Sequence, residues 1–405
     1  MPLVNLYRCR GWEQIFMNRR AKSLSENNAA PQPSSRPSRK APLRLVEKQT
    51  ESASSEKARR NAAGVLLPTM KDVAREAGVS LGTVSNVLNN PRSVRPGNRE
   101  RVLMAVRKLG FRSNMAAWTL KTKLSRNIGL IIPSITNPFY PELARGVEDV
   151  ANKAGLTVFL CNDDRDVAKE RKYIEKLIAK NADGLILVKP QVSLQEVDEI
   201  AQFITVIMVD VQAPAPSPYN IVNIEDVAGI RLGMKLLYGY SHTKIAFVTG
   251  MLESASSRSR YGAYTDFLTE NGIEPRNDYV IKGNYDWNGG YSAAKKLLAL
   301  SDPPTAIFAA NDLMAIGVLK AVQDEGLKVP ENISVMGFDN IDISNLSTPS
   351  LTTINQPKYE MGALSAEMLL GILTQAETHR RTGQSITLKT EVVYRNSVGP
   401  VNAGK

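Results

Sequence analysis

Histidine and cysteine are scarce in this 405-residue chain, which contains two of each. Cys9 and Cys161 lie far apart, so the sequence has neither a disulfide framework nor the paired spacing of a zinc site. His242 and His379 belong to no pattern with Cys, Ser or carboxylates that suits nucleophilic catalysis. Glycine-rich phosphate loops are also absent. We therefore expect no catalytic site, no metal and no cofactor.

Long apolar runs are missing as well. No stretch of about 18 apolar residues occurs, so no membrane span is predicted. The segment from Leu3 to Phe16 lacks an apolar run long enough for a secretory signal. With 43% hydrophobic residues, the chain can still bury a sizeable core in two or three domains. We expect a soluble, cytoplasmic protein.

Charge is unevenly distributed along the chain. Residues 1–68 contain 13 Lys/Arg and 5 Asp/Glu, a net +8, and are rich in Ser, Pro and Arg, which predicts a mostly disordered basic extension. Residues 69–126 contain 12 basic and 3 acidic residues, a net +9, whereas the remainder carries −6. This asymmetry favours a nucleic-acid-binding arm joined to an acidic globular body.

The pattern from Thr69 to Asn89 predicts two short helices joined by a tight turn. Thr69 can cap a first helix over Met70–Ala77. Gly78 can adopt the left-handed backbone that ends it, and Ser80 can cap the second helix.

The second of these helices has two distinct faces. Val84, Val87 and Leu88 form the apolar face. The opposite face is small and uncharged and consists of Leu81, Gly82, Ser85, Asn86 and Asn89. So narrow a helix can enter a major groove, where an Asn can pair with adenine, although the same pattern fits an ordinary surface hairpin.

The motif D-V-A-x-x-A-G-V-S-x-x-T-V-S-x-V-L-N at Asp72–Asn89 resembles the headpiece of the lactose/purine repressor (LacI/GalR) family of bacterial transcription regulators. The resemblance implies a homodimer or tetramer that binds a pseudo-palindromic operator in double-stranded DNA. The headpiece would span residues 69–112. Its expected DNA contacts are Thr69, Ser80, Leu81, Gly82, Thr83, Ser85, Asn86, Asn89 and Arg95.

A third helix is predicted over Pro96–Leu109, with Arg95 where the family usually has a capping Ser. Residues 113–126 resemble the family's hinge helix and linker. The expected DNA contacts of this segment are Asn114, Ala117, Leu120 and Lys121. By resemblance, Leu120 is a wedge that opens a base step from the minor groove. Ser113 and Trp118 depart from the usual Pro and Arg.

Residues 127–398 alternate β-branched apolar runs with helical patterns, which predicts parallel sheets covered on both faces. We expect an all-α helix-turn-helix headpiece followed by an α/β effector domain of two doubly wound lobes, similar to the family's periplasmic-binding-protein-like domain. Lobe one would comprise about 127–224 and 355–384, and lobe two about 225–352 and 385–398. Tyr359–Leu373 would return to the first lobe and Ile386–Val393 to the second.

Polar and aromatic residues follow several predicted strands, at the edge where such sheets bind ligands. Carboxylates and amides there can bridge neighbouring hydroxyls, and rings can cover a sugar face. The resemblance implies that effector contacts are made by Phe139, Tyr140, Asp210, Arg260, Tyr285, Asn311 and Asp339. A sugar or sugar acid is the expected effector. For a single Asp at a strand end, helix capping is the alternative.

Together these features predict a sequence-specific transcription regulator that is controlled by a small molecule bound between the lobes. Repression is favoured over activation. A solute-binding receptor of the transport class would explain the 127–398 region but not the basic headpiece. An enzyme on a doubly wound fold has no supporting site in the sequence.

Overall fold

The chain divides into two compact units between residues 113 and 114. The computed structural model describes residues 68–89, 93–111, 125–213, 216–374 and 383–401. Within these ranges no helix combines the length and apolar character needed to cross a membrane.

The headpiece, residues 69–111, contains the helices α1 (Met70–Ala77), α2 (Leu81–Asn89) and α3 (Pro96–Leu109). Thr69 and Asp72 form a capping box, in which the Asp72 carboxylate accepts the Thr69 backbone N–H at 2.8 Å. Gly78 ends α1 at φ +61°. The Ser80 hydroxyl accepts the N–H of Thr83 at 3.1 Å and so caps α2. These local bonds confirm the predicted helix ends.

One small apolar core joins the three helices. Its buried members are Val73, Ala74, Ala77, Val84, Val87, Val102, Ala105 and Phe111. Arg95 precedes α3 without a side-chain capping bond, in line with the missing Ser. The position of α3 therefore depends on its buried face rather than on a cap at its start.

The first lobe is a six-stranded parallel sheet in the order β11–β5–β4–β3–β1–β2. Its strands are β1 (Asn127–Ile132), β2 (Thr157–Asn162), β3 (Gly184–Val188), β4 (Thr205–Val209), β5 (Asn220–Ile224) and β11 (Ser385–Leu388). The helices that cover it are α4 (Phe139–Lys153), α5 (Val167–Ala179), α6 (Leu194–Ala201) and α12 (Lys358–Thr374). Central β3 is buried along its whole length, as a strand covered on both faces must be.

The second lobe repeats this architecture in the order β12–β10–β9–β8–β6–β7, with only β12 antiparallel. Its strands are β6 (Ile245–Thr249), β7 (Val280–Lys282), β8 (Ala306–Ala309), β9 (Ser334–Asp339), β10 (Thr352–Asn355) and β12 (Glu391–Val393). Its helices are α7 (Asp226–Gly239), α8 (Ala255–Glu270), α9 (Trp287–Leu298), α10 (Asp312–Asp324) and α11 (Asp342–Leu346). The predicted fold class is confirmed.

The predicted allocation of the last strands was wrong. Ser385–Leu388 pairs with β5 in the first sheet, and only Glu391–Val393 pairs with β10 in the second. The chain crosses between the lobes at residues 389–390, yet apolar residues alternate on both sides of that point, so the pattern does not reveal it. Thr352–Asn355 likewise lies wholly in the second sheet, beyond the predicted boundary.

Two glycines bring α4 and α12 into backbone contact beneath the first sheet. A Cβ on Gly146 would lie 2.1 Å from the Tyr359 carbonyl oxygen, and one on Gly362 would lie 2.0 Å from that of Leu143. Neither position has room for a side chain. This close packing fixes α4, whose first turn carries the predicted effector contacts Phe139 and Tyr140.

Candidate functional site

The outward face of α2 has the composition that the sequence predicts for a base-reading helix. Leu81 is 45% exposed, and Gly82 and Asn86 are also exposed. Val84 and Val87, on the opposite face, are 0% and 3% exposed. The helix therefore presents a narrow, uncharged surface, while its apolar side packs in the headpiece core.

The remaining headpiece residues flank this face. Thr83 and Ser85 are partly buried, and Asn89 ends α2. Thr69 and Ser80 use their hydroxyls as helix caps. Exposed Arg95 precedes α3, where a guanidinium can meet a phosphate.

The hinge predictions fall on residues that the structure does not describe. They concern Asn114, Ala117, Leu120 and Lys121. Their role remains a prediction.

A second candidate site lies between the two lobes, at the carboxyl ends of both sets of strands. This cleft is lined by Asn137, Phe139, Tyr140, Arg165, Lys189, Arg260, Tyr285, Asn311, Asp339 and Gln356. The fold thus brings together six of the seven residues predicted to bind an effector. Its cavity measures about 10 Å³, which is room for roughly one water molecule. A sugar-sized molecule is larger than this cavity.

Arg260 forms the floor of the cleft. Its side chain is 1% exposed, with Nε 2.6 Å from Asp226 Oδ1 and Nη1 donating to the Ala310 carbonyl at 2.7 Å. The guanidinium lies 3.8 Å from the Phe338 ring centroid. Burial by itself lowers the Arg260 pKa, but the surrounding carboxylates, Asp226 first, raise it above its usual value. Arg260 is therefore permanently charged and held in one position.

Asp339 lies beside Arg260 at the end of β9, with Oδ1 3.9 Å from Nη1. It accepts the Gln356 amide at 2.5 Å, and its backbone adopts φ +125°. The Lys358 ammonium donates to the Asp339 carbonyl at 2.9 Å and stabilises this unusual turn. Burial raises the Asp339 pKa to about 7, although Arg260 opposes the shift. This carboxyl can accept or donate a hydrogen bond near neutral pH.

Tyr285 and Asn311 are joined to each other and to α10. Asn311 caps α10 by accepting the Met314 N–H at 3.0 Å, and its amide donates to the Tyr285 carbonyl at 3.2 Å. The Tyr285 hydroxyl lies 2.5 Å from that of Ser257. These bonds hold the Tyr285 ring against the cleft.

Asp210 lies outside this cavity, in an adjoining groove with Gln212 and Asp226. It follows β4 at φ +57° and forms an ion pair with Lys189, whose Nζ is 2.9 Å from Oδ2. Asp210 is therefore connected to the cleft through its ion pair with Lys189. That lysine also donates across the lobes to Ser256 at 3.1 Å.

Sequence reasoning missed Arg165, Lys189 and Gln356 as cleft residues. Lys189 follows β3 directly and Gln356 follows β10, so the strand-end rule could have found both. Burial lowers the Lys189 pKa, but Asp210 and two tyrosines raise it overall. Arg165 is three residues beyond β2, in a loop with no recognisable pattern. Among the described residues, no cluster of three or more His, Cys, Asp or Glu could hold a metal ion.

The comparisons with known proteins match both parts of the chain to described families. Residues 69–114 match the model of bacterial regulatory proteins of the lacI family, and residues 234–398 match the periplasmic binding protein-like domain. Catabolite control protein A of Priestia megaterium is 36% identical over 302 residues, covering 74% of this chain and 91% of that protein.

Solved structures extend the likeness to most of the chain. The lac repressor dimer bound to operator and the anti-inducer ONPF has a TM-score of 0.73 at 28% identity, covering 82% of this chain and 99% of that one. A LacI family regulator from Enterococcus faecium with bound ribose has a TM-score of 0.61 at 30% identity, covering 68% and 100%.

The chain is thus a two-domain bacterial transcription regulator, with a helix-turn-helix headpiece and a two-lobed body. It belongs to the lacI family. The resemblance at Asp72–Asn89 is confirmed.

Proposed function

We propose that this protein is a cytoplasmic repressor that binds a pseudo-palindromic operator as a homodimer and is controlled by a polyhydroxylated effector in the interlobe cleft. The outward face of α2 carries the DNA-binding half of the proposal. Exposed Leu81 and Asn86 lie above a fully buried Val84, which is the arrangement a major-groove helix needs. The operator-bound lac repressor dimer supports the same mode of binding.

Within the headpiece, each residue has a distinct role. Asn86 and Ser85 read base edges, and Leu81 contacts a thymine methyl or a sugar. Thr69, Ser80 and Thr83 lie at helix starts, where backbone N–H groups and hydroxyls can meet phosphates. Gly82 allows close approach, and Asn89 and Arg95 contact the backbone.

The hinge residues complete the DNA contacts in this proposal. Leu120 enters the minor groove, with Asn114, Ala117 and Lys121 beside it.

The polar lining of the cleft supports a sugar or a sugar acid as the effector. Arg260, Asn311 and Asp339 can hydrogen-bond neighbouring hydroxyls, and Tyr285 and Phe139 can pack on the apolar face of a sugar. The ribose-bound relative favours the same class of ligand. Asp210 would contribute indirectly, through its ion pair with the cleft residue Lys189. Effector binding changes the closure of the lobes and thereby the affinity for operator.

The test is selection of binding sites by the full-length protein from a pool of random duplexes at moderate salt. We expect a two-fold symmetric motif, bound at least about a thousand times more tightly than random duplex. Recovery of unenriched sequences, with and without candidate sugars, would overturn the proposal. Titration of the selected site with sugars then tests control by the cleft.

A further inference from the structure

Two lobe-one cations extend into the cleft and approach the same lobe-two ring. The Arg165 guanidinium lies 5.1 Å from the Tyr285 ring centroid, and the Lys189 ammonium lies 5.5 Å from it. Both also act on the Tyr140 hydroxyl: burial raises its pKa, while Lys189 and Arg165 oppose the shift. The cations and the two tyrosines therefore form one cluster at the lobe-one end of the cleft.

Arg165 differs from the other cleft cations because it has no carboxylate partner. Lys189 is paired with Asp210 at 2.9 Å, and Arg260 with Asp226 at 2.6 Å. Among the described residues, no carboxylate lies within ion-pair distance of the Arg165 guanidinium. Its neutral neighbours are the Tyr140 hydroxyl and, across the cleft, the Met251 sulfur at 3.7 Å.

The backbone holds Arg165 in this position. Asp164 and Arg165 both adopt positive φ, at 56° and 60°, and the buried Asp163 carboxylate accepts the Arg165 N–H at 2.7 Å. Two consecutive left-handed residues without glycine cost free energy, which is typical of functional loops. The strained turn projects a permanently charged group toward the other lobe.

The lobe-two end of the cleft offers an unpaired hydrogen-bond donor and an unpaired acceptor, and its cation Arg260 is already paired with Asp226. Arg260 Nη2 and Gln356 Oε1 are buried without a hydrogen-bond partner, and both residues line the cavity. An orphan donor and an orphan acceptor in one wall are costly unless a ligand satisfies them. Hydroxyl groups both donate and accept, so a polyol fits this end.

We propose that the effector is a polyhydroxylated carboxylic acid, whose carboxylate binds Arg165 and Lys189 while its hydroxyls bind Arg260 and Gln356. The proposal rests on the proposed function, in which the effector occupies this cleft. Among the described residues that line the cleft, Arg165 is the one cation without a counter-charge, and a monoanion matches it. A dianionic phosphate would leave a second negative charge uncompensated in a buried site.

Isothermal titration calorimetry of the full-length protein tests this assignment. The probes are D-gluconate, D-galactonate, D-glucuronate and D-galacturonate, with D-glucose, D-galactose and D-glucose 6-phosphate for comparison. At least one acid should bind more tightly than its neutral counterpart. Arg165→Gln should weaken that acid by about ten- to a hundredfold, because a charge-assisted hydrogen bond is lost, and leave neutral sugars unchanged.

Two further variants distinguish the loss of the Arg165 charge from a general effect of substitution. Arg165→Lys should recover part of the affinity for the acid, since the charge is kept. Lys153→Gln removes one exposed positive charge at the end of α4 and should have no effect. Thermal unfolding of each variant shows whether it is folded.

The inference is overturned if no acid binds, if acids and neutral sugars bind equally well, or if folded Arg165→Gln binds the acid normally. Binding of glucose 6-phosphate alone would overturn the carboxylate assignment. In each case, selection of a symmetric DNA site by the same protein preparation would leave the proposed function standing. Loss of DNA selectivity would be the separate failure of that function.

Discussion

The Nε atom of Arg260 lies 2.6 Å from Oδ1 of Asp226, and this ion pair joins the floor of the cleft to a crossing between the lobes. Asp226 is the first residue of α7, directly after the chain leaves the first lobe at Glu225. Any ligand that displaces the Arg260 guanidinium must therefore also pull on the start of α7. In the proposed function, this pair would connect effector binding in the cleft to the crossing between the lobes.

Arg260→Met should destabilise the body, because it leaves the Asp226 carboxylate without its buried partner. Removing one member of a buried ion pair costs about 3–5 kcal/mol. Urea denaturation followed by tryptophan fluorescence measures the change. Arg258→Met is the control, since Arg258 is exposed two residues earlier on α8 and should cost less than about 1 kcal/mol. Equal midpoints for the two variants would contradict the structural role of the pair.

Asn86→Ala should relax base preference at one position of each operator half-site, because a bidentate base contact is worth about 1–3 kcal/mol. Electrophoretic mobility shifts on single-base variants of the selected site measure this. Arg99→Gln, an exposed residue of α3, should instead weaken binding to all sequences alike. If Asn86→Ala kept the same base preference at every operator position, Asn86 would not be a base-contacting residue.

Gly362→Ala should destabilise the first lobe, since its Cβ would lie 2.0 Å from the Leu143 carbonyl oxygen and force α4 and α12 apart. Overpacking of this kind costs about 1–3 kcal/mol. Gly371→Ala is a matched control on the same helix, where a new Cβ meets no atom within 4 Å. It should stabilise by about 0.5–1 kcal/mol. Calorimetric melting temperatures that shift in the same direction for both variants would refute this account of the helix contact.

Glu170→Gln should flatten the pH dependence of stability between about pH 4.5 and 7. Glu170 is buried and accepts the backbone N–H groups of Gln191 and Val192, each at 2.8 Å. Burial raises its pKa from 4.5 to about 7, so its ionised form is disfavoured in the folded protein. The contribution of Glu170 to stability is therefore fully present below pH 4.5 and is lost as pH rises to 7, by on the order of 1–3 kcal/mol.

The pH experiment compares urea unfolding of the wild type and Glu170→Gln at several pH values. A Gln oxygen can still accept both N–H groups, so the variant should fold. Asp163→Asn should flatten the pH dependence of stability in a lower pH range, because burial raises the Asp163 pKa from 3.8 to about 6. Superimposable pH profiles for the wild type and Glu170→Gln would show that this carboxyl does not titrate in that range.

The headpiece could be predicted almost completely because its determinants are local. The capping box of Thr69 and Asp72, the left-handed Gly78 and the cap at Ser80 each act within a few residues. The apolar face through Val84 and Val87 follows from helical periodicity alone. Nothing distant in the chain is needed to place these side chains relative to one another.

The cleft was predictable only in part. Strand-end positions and the resemblance together placed Tyr285, Asn311 and Asp339 correctly in one cavity. They did not show that Asp210 turns into the adjoining groove to pair with Lys189. Nor did they show that the chain leaves the first sheet after Leu388, because alternating apolar residues continue past the crossing.

By itself, then, the sequence determined the class of protein, the doubly wound lobes and the outward face of α2, because short-range spacing and hydrophobic periodicity specify them. Only the tertiary structure decided the charge of the cleft. Arg165 reaches a tyrosine 120 residues later in the chain, across two lobes that are separate in sequence. Such a contact depends on a loop conformation and on lobe closure, which the pattern of neighbouring residues does not encode.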